Sequence, residues 1–213
     1  MSNESIVVAR YTATPPAIDN FADRAWQLAE PVMITRLWSG VPAAPERHAE
    51  VRLCWSDAGL HALFIGRQHE PLVVSDAPNT SVKTLGLWDR DVCEVFVAPD
   101  PDNVSTYYEF EAAPTGEWVD LAITITASGR KTEWDYASGM HTAAAVEQDK
   151  LTVGITIPWS ERIPKPTPGM LWKVNLFRCV GPEEPARYLA WRPTGAPEPA
   201  FHVPEAFGWL RFE

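Results

Sequence analysis

A chain of 213 residues that is 46% apolar and 22% charged has enough material for a sizeable hydrophobic core, which excludes global disorder. Its 18 Lys and Arg stand against 28 Asp and Glu, and the formal net charge of -10 repels nucleic-acid phosphates and anionic lipid headgroups, so neither is an expected partner. No apolar run approaches the ~20 residues of a membrane helix, and Ile6-Val7-Val8-Ala9 is too short for a signal segment; the chain reads as cytoplasmic unless a leader has been removed.

Along the chain the dominant hydrophobic period is two, in short segments punctuated by 20 Pro and 12 Gly. Segments 6–12 and 32–38 read as strands, with Phe21 to Trp26 between them able to make one helical turn. Glu50 to Trp55 and Leu60 to Gln68 form the clearest hairpin, joined by Ser56-Asp57-Ala58-Gly59. Asp91 to Val97, Thr106 to Ala112, Glu117 to Thr126, His141 to Glu147 and Leu151 to Ile157 continue the series. Pro164, Pro166 and Pro168 then forbid both a helix and a central strand, and strands at 171–180, 187–192 and 206–212 close the chain. About ten short strands with helix limited to turns near 21–29 and 159–163 predict an all-β fold, an antiparallel β-sandwich in a single domain over 1–213. Cys54, Cys93 and Cys179 are odd in number, lack CxxC spacing and lie in apolar strand-like segments, which makes them buried thiols and fits a reducing compartment.

Ten tryptophans are the strongest functional signal. Trp88 in Gly-Leu-Trp-Asp and Trp191 in Ala-Trp-Arg-Pro stand among turn-forming and charged residues, where an indole is better explained by stacking on a sugar ring than by packing. Trp26, Trp55, Trp118, Trp134, Trp159, Trp172 and Trp209 are assigned mainly to packing. Strand parity then singles out charges. Glu94 shares a face with Val92 and Phe96, an acid in an apolar stripe, and Arg178 lies beside Leu176 with five fixed donors suited to a carboxylate or a hydroxyl. Glu109 and Glu111 share a face with Tyr107, where they either read hydroxyls or are simply solvated.

Trp88-Asp89-Arg90-Asp91-Val92-Cys93-Glu94-Val95-Phe96, Tyr107-Tyr108-Glu109-Phe110-Glu111 with Pro114-Thr115-Gly116, Ile157-Pro158-Trp159, and Phe201-His202-Val203-Pro204 with Phe207-Gly208 together resemble carbohydrate-binding module family 9 and its family 9-like relatives, from Ile18-Asp19 and Trp26 onward. The resemblance implies a Greek-key or jelly-roll-like sandwich that binds an oligo- or polysaccharide without catalysis. It implies that Trp88 and Trp191 clamp a sugar ring and that Glu94, six residues after Trp88, accepts from its hydroxyls, with Arg178, Glu109 and Glu111 as further contacts. Asn20 replaces the family's usual Gly, and Ala113 stands where an Asn often precedes the Pro-x-Gly turn, removing one polar contact near the slot. No cofactor is required; calcium, which some members hold as a structural ion, has weak candidates in Asp100 and Asp102.

Two alternatives differ in class. Glu94, Glu109, Glu111 and Asp120 could furnish the carboxylate pair of a glycoside hydrolase of the same fold. A haem-binding dehydrogenase subunit would draw axial ligands from Met33, Met140, Met170, Lys173 and His202, the last of which reads better as a hydrogen-bonded histidine at the core edge.

Overall fold

The period-two pattern produces strands throughout the computed structural model, which describes residues 6–213; the first five residues of the expected 1–213 domain lie outside that range. In chain order the elements are β1 (Ile6–Tyr11), α1 (Arg24–Leu28), β2 (Pro31–Ile34), β3 (Arg36–Leu37), β4 (Ala49–Trp55), β5 (Gly59–Arg67), β6 (Val92–Ala98), β7 (Thr106–Ala112), β8 (Trp118–Thr126), β9 (Gly129–Glu133), β10 (His141–Glu147), β11 (Lys150–Pro158), β12 (Leu171–Cys179), β13 (Tyr188–Ala190) and β14 (Gly208–Phe212). The one α-helix is a five-residue turn opened by Asp23, whose side chain accepts from the Ala25 N–H, and it buries Trp26 against Cys54 and Leu63. No helix among the described residues is long and apolar enough to cross a membrane.

One sheet runs β10-β11-β5-β4, with β2 also on β4; the other runs β14-β12-β6-β7-β8-β9, with β13 on β12 and β3 on β13. Pairing is antiparallel except at β1, which pairs parallel with β14 through Ile6–Ala9 and then parallel with β4 through Arg10 and Tyr11. The expected antiparallel sandwich thus carries one parallel strand, and β1 is the corner that joins the sheets. Val51, Leu53 and Phe64 of one sheet and Val95, Val97, Phe110 and Leu176 of the other share one core between the layers.

The second sheet is buried on both faces. All seven residues of β6 are buried, Cys93, Val95 and Val97 in the inter-sheet core and Val92, Phe96 and Ala98 on the opposite face under Leu87, Phe201 and Phe207. That second cover decides where the site lies.

The hairpin at Ser56 to Gly59 forms as its turn chemistry requires, with Ser56 N–H donating to the Gly59 carbonyl at 3.0 Å. The predicted 32–38 strand is broken into β2 and β3, and β9 is an addition. Its sequence Gly-Arg-Lys-Thr-Glu carries no apolar alternation because it is an exposed sheet edge, where charge guards against unwanted pairing. The three cysteines are buried thiols, and burial pushes Cys54 and Cys93 up to about 12.

Candidate functional site

Strand parity and register assemble an acidic floor on the covered outer face of the second sheet. Glu94 of β6 is paired across the ladder with Glu111 of β7, Phe96 with Glu109, and Glu94 on its other side with Phe177 of β12. Three carboxylates thus occupy adjacent positions on one face, with ligating oxygens within 4.8 Å of one another. Leu121 and Ile123 of β8 extend the floor, and Arg130, Thr132 and Trp134 from β9 and its end form the far wall.

Two distant segments roof it. Gly86, in the left-handed region at φ 81°, turns the chain into a short 3-10 turn that anchors Leu87 in the covered layer and leaves Trp88 at the mouth. From the other side, residues 199–202 close over the sheet, with Phe201 stacked on Phe177 at 4.1 Å between ring centroids. Between floor and roof lies a cavity of about 330 Å³. Trp88 and Trp134 meet along one side with centroids 6.2 Å apart and planes inclined by 41°.

The carboxylates are almost entirely withdrawn from solvent, Glu94 at 1%, Glu109 at 3% and Glu111 at 0% exposure. The reading of Glu109 and Glu111 as solvated is thereby corrected: alternation identifies their face, and the roof, which comes from elsewhere in the chain, makes that face an interior. Both oxygens of Glu111 and Oε2 of Glu109 meet no donor among the described residues, while the Cys179 thiol donates to Glu94 Oε1 at 3.7 Å. Burial first, and then repulsion from Glu109, hold Glu94 well above the ordinary carboxylate range; burial followed by the Glu94 charge does the same to Glu111. Glu109 is also raised by burial, opposed by its neighbour Glu111 and by the Arg130 charge. Glu109 is therefore the member that holds a charge most readily. His202 stands beside it, its Nδ1 hydrogen-bonded to the Tyr107 hydroxyl at 2.8 Å and its Nε2 3.9 Å from Glu109 Oε2. Burial lowers His202 to about 3, so the ring is neutral.

The other two proposed contacts face away. Tyr188 lines the cavity and Ala190 packs in the covered layer, so Leu189 and Trp191 point into the opposite, inter-sheet side. Trp191 borders a separate cleft with Met33, Arg36 and Arg192. A Trp88–Trp191 clamp is thus corrected to a Trp88–Trp134 wall. Arg178 fails by the same parity: Phe177 and Cys179 face the cavity and Arg178 points into the inter-sheet layer at 0% exposure. There it donates to the carbonyls of Arg47 at 3.0 Å, His48 at 3.2 Å and Arg67 at 2.6 Å, and to Gln68 Oε1 at 2.9 Å, tying β12 to the end of β5.

Asp100 and Asp102 form an exposed turn in which Asp100 Oδ1 accepts from the Asp102 N–H at 3.0 Å. These two carboxylates could supply some of the about six to eight oxygens that calcium takes. The candidate haem ligands lie in separate surroundings: Met140 in the inter-sheet core, Lys173 over the Trp209 ring at 3.8 Å, Met170 on a surface turn, Met33 by the Trp191 cleft and His202 in the cavity. Trp134, Arg130, Thr132, Tyr188 and Phe201 were not singled out as contacts from sequence. The only signal for Trp134 was an indole set between Glu133 and Asp135, where packing gives it no reason to be.

The β-sandwich scaffold, with an aromatic wall and a polar floor around one cavity, is of the carbohydrate-module type. The family model described as carbohydrate family 9 binding domain-like matches residues 18–213, and the chain belongs to that family. Among solved structures it is similar to a candidate carbohydrate-binding protein from Bacteroides uniformis ATCC 8492, at 16% identity over 98% of this chain and 99% of that one, with a TM-score of 0.75. It is also similar to a family 9 carbohydrate-binding module from Caldicellulosiruptor kristjanssonii in complex with glucose, at 19% identity over 97% and 95% of the two chains and a TM-score of 0.62. The same comparison with a Caldicellulosiruptor kristjanssonii family 9 module in complex with cellotriose gives 18% identity over 98% and 93%, with a TM-score of 0.65. No curated protein matches the sequence.

Proposed function

We propose that this domain binds the sugar ring of an oligo- or polysaccharide without catalysis, in the cavity between the Trp88–Trp134 wall and the Glu94–Glu109–Glu111 floor. The observation that carries the reading is the side-by-side placement of an accessible indole wall, with Trp134 47% exposed, and buried acceptors that lack donors. A pyranose has complementary surfaces: apolar C–H faces for the indoles and hydroxyl donors for the carboxylates. A ring held between two plates needs a gap of about twice the ~3.5–4.0 Å carbon contact distance. At 6.2 Å and 41° the two indoles are too close and too inclined for that, so the ring lies against them as a bent wall rather than between them. The family supports the ligand class, and its modules complexed with glucose and cellotriose supply the first sugars to try.

The acid cluster is the one observation that favours hydrolysis, since raised carboxyl groups can serve as general acids. It favours it weakly: retaining glycosidases separate their carboxyl groups by roughly 5–5.5 Å and inverting ones by more, to leave room for the scissile bond and a water. Here the three acids share one face of the floor, Glu94 paired across the ladder with Glu111 and Glu109 beside them, rather than flanking a bond from opposite sides. Calorimetric titration with glucose, cellobiose and cellotriose tests the binding reading, and an assay for reducing-sugar release on the same samples tests hydrolysis. Saturable binding without release is the expected result.

A further inference from the structure

Resting on the reading of this cavity as a sugar site, its charge identifies the sugar more narrowly. The lining carries three carboxylates and a single guanidinium, that of Arg130, which is exposed at the rim. His202 contributes no charge at neutral pH. Neighbours leave the balance negative: Asp89 adds a negative charge near Glu111, the buried Arg187 near Cys179 is paired with Glu184 at 3.7 Å, and the Cys179 and Tyr107 groups beside the acids are neutral. Two other buried acids have cationic partners, Asp120 with Lys83 at 2.7 Å and Glu117 with Arg90 at 3.3 Å, and a third, Asp91, accepts from the Gly181 N–H at 2.7 Å. Glu111 has no donor on either oxygen, and it lines a cavity. A neutral sugar would satisfy these oxygens as acceptors but would supply no positive charge to bring the raised Glu94 and Glu111 to their ionised forms. An ammonium supplies up to three donors and the missing charge, and the indoles beside it present electron-rich faces to a cation.

We propose that the cavity selects an aminosugar, its ammonium held over Glu94, Glu109 and Glu111 while its ring lies against Trp88 and Trp134. The acid floor is then the specificity determinant and the indole wall the general sugar platform.

The test is calorimetric titration of the full chain near neutral pH, in the presence of a chelator, with the β-1,4-linked glucosamine disaccharide, its N-acetylated counterpart and cellobiose. These probes share a ring framework and differ at C2 of each ring, which carries an ammonium, an acetamido group or a hydroxyl. The aminosugar should bind roughly tenfold tighter than either neutral disaccharide, the factor that one charge-assisted hydrogen bond supplies. Glu111→Gln should bring the aminosugar and the neutral disaccharides to similar affinities, with Glu109→Gln as the second variant should the first fail to fold. Equal or tighter binding of cellobiose overturns the proposal and leaves the carbohydrate reading intact. Absence of binding by all three overturns both. Binding of cellobiose that appears only when calcium replaces the chelator also overturns it, in favour of an inorganic cation on the acids.

Discussion

Lys83 Nζ lies 2.7 Å from Asp120 Oδ1 and also donates to the carbonyls of Asp120, Trp134 and Tyr136, so one partly buried ammonium ties the loop before Trp88 to the segment that carries Trp134. The two indoles of the wall come from segments with no strand pairing between them. Their mutual placement depends on this clasp, which Ser138 completes by donating to Asp120 Oδ2 from its N–H at 2.6 Å and its hydroxyl at 2.7 Å. Lys83→Met should therefore act twice. It leaves a fully buried carboxylate without its cation, a cost of about 3 kcal/mol in stability, and it weakens sugar binding although Lys83 does not line the cavity. Thermal melts and titration of the same variant check both effects.

Arg178 is expected to behave as a structural residue. Removing its guanidinium in Arg178→Met strands several buried carbonyl groups, for a loss of about 3 kcal/mol or more. Gly66 belongs to the same arrangement: a Cβ there would stand 2.5 Å from Arg178 Nη1, so Gly66→Ala should also destabilise. Chemical denaturation measures both, and folded Arg178→Met that lost only sugar affinity would restore Arg178 to the site.

The acid cluster makes an unusual pH signature. A carboxyl whose native pKa is raised binds its proton more tightly folded than unfolded, so its contribution to stability is full below the ordinary 4.5 and is lost as pH rises through the native value. Glu111→Gln, which has no charge to bury, should then stabilise the free protein at pH 8 by roughly 1–3 kcal/mol, and the gain should vanish in acid. Histidines run the other way. His61, lowered by burial to about 4, and His202, at about 3, contribute stability above 6.5 that is lost as pH falls toward those values. Melts of wild type and Glu111→Gln between pH 4 and 8 separate the two; a variant less stable than wild type at pH 8 would contradict the account of the cluster.

Much of this was legible in the sequence, and the failures share a cause. Trp88 and Glu94 were identified because each stands against its local pattern, an indole in a turn and an acid in an apolar stripe. Arg178 and Trp191 were misplaced by one unit of strand parity: β13 is three residues long, too short for alternation to fix which way Trp191 points. Arg178 was read as a sugar contact because sequence does not reveal that both faces of its strand are covered. Trp134 follows a polar edge strand with no apolar period to mark it. The roof at 199–207 reaches the floor across about ninety residues of chain, a distance over which local pattern carries no information.

The central claim is that the sugar lies on the Trp88–Trp134 wall, and titrating Trp88→Ala, Trp134→Ala and Trp191→Ala with one disaccharide tests it most directly. Losing either indole of the wall should cost about 2 kcal/mol, a weakening of roughly thirtyfold, with the thermal melt little changed. Trp191→Ala should keep its affinity and instead lose stability, because that indole packs against the inter-sheet core. Retained binding in both wall variants together with lost binding in a folded Trp191→Ala protein would contradict the account.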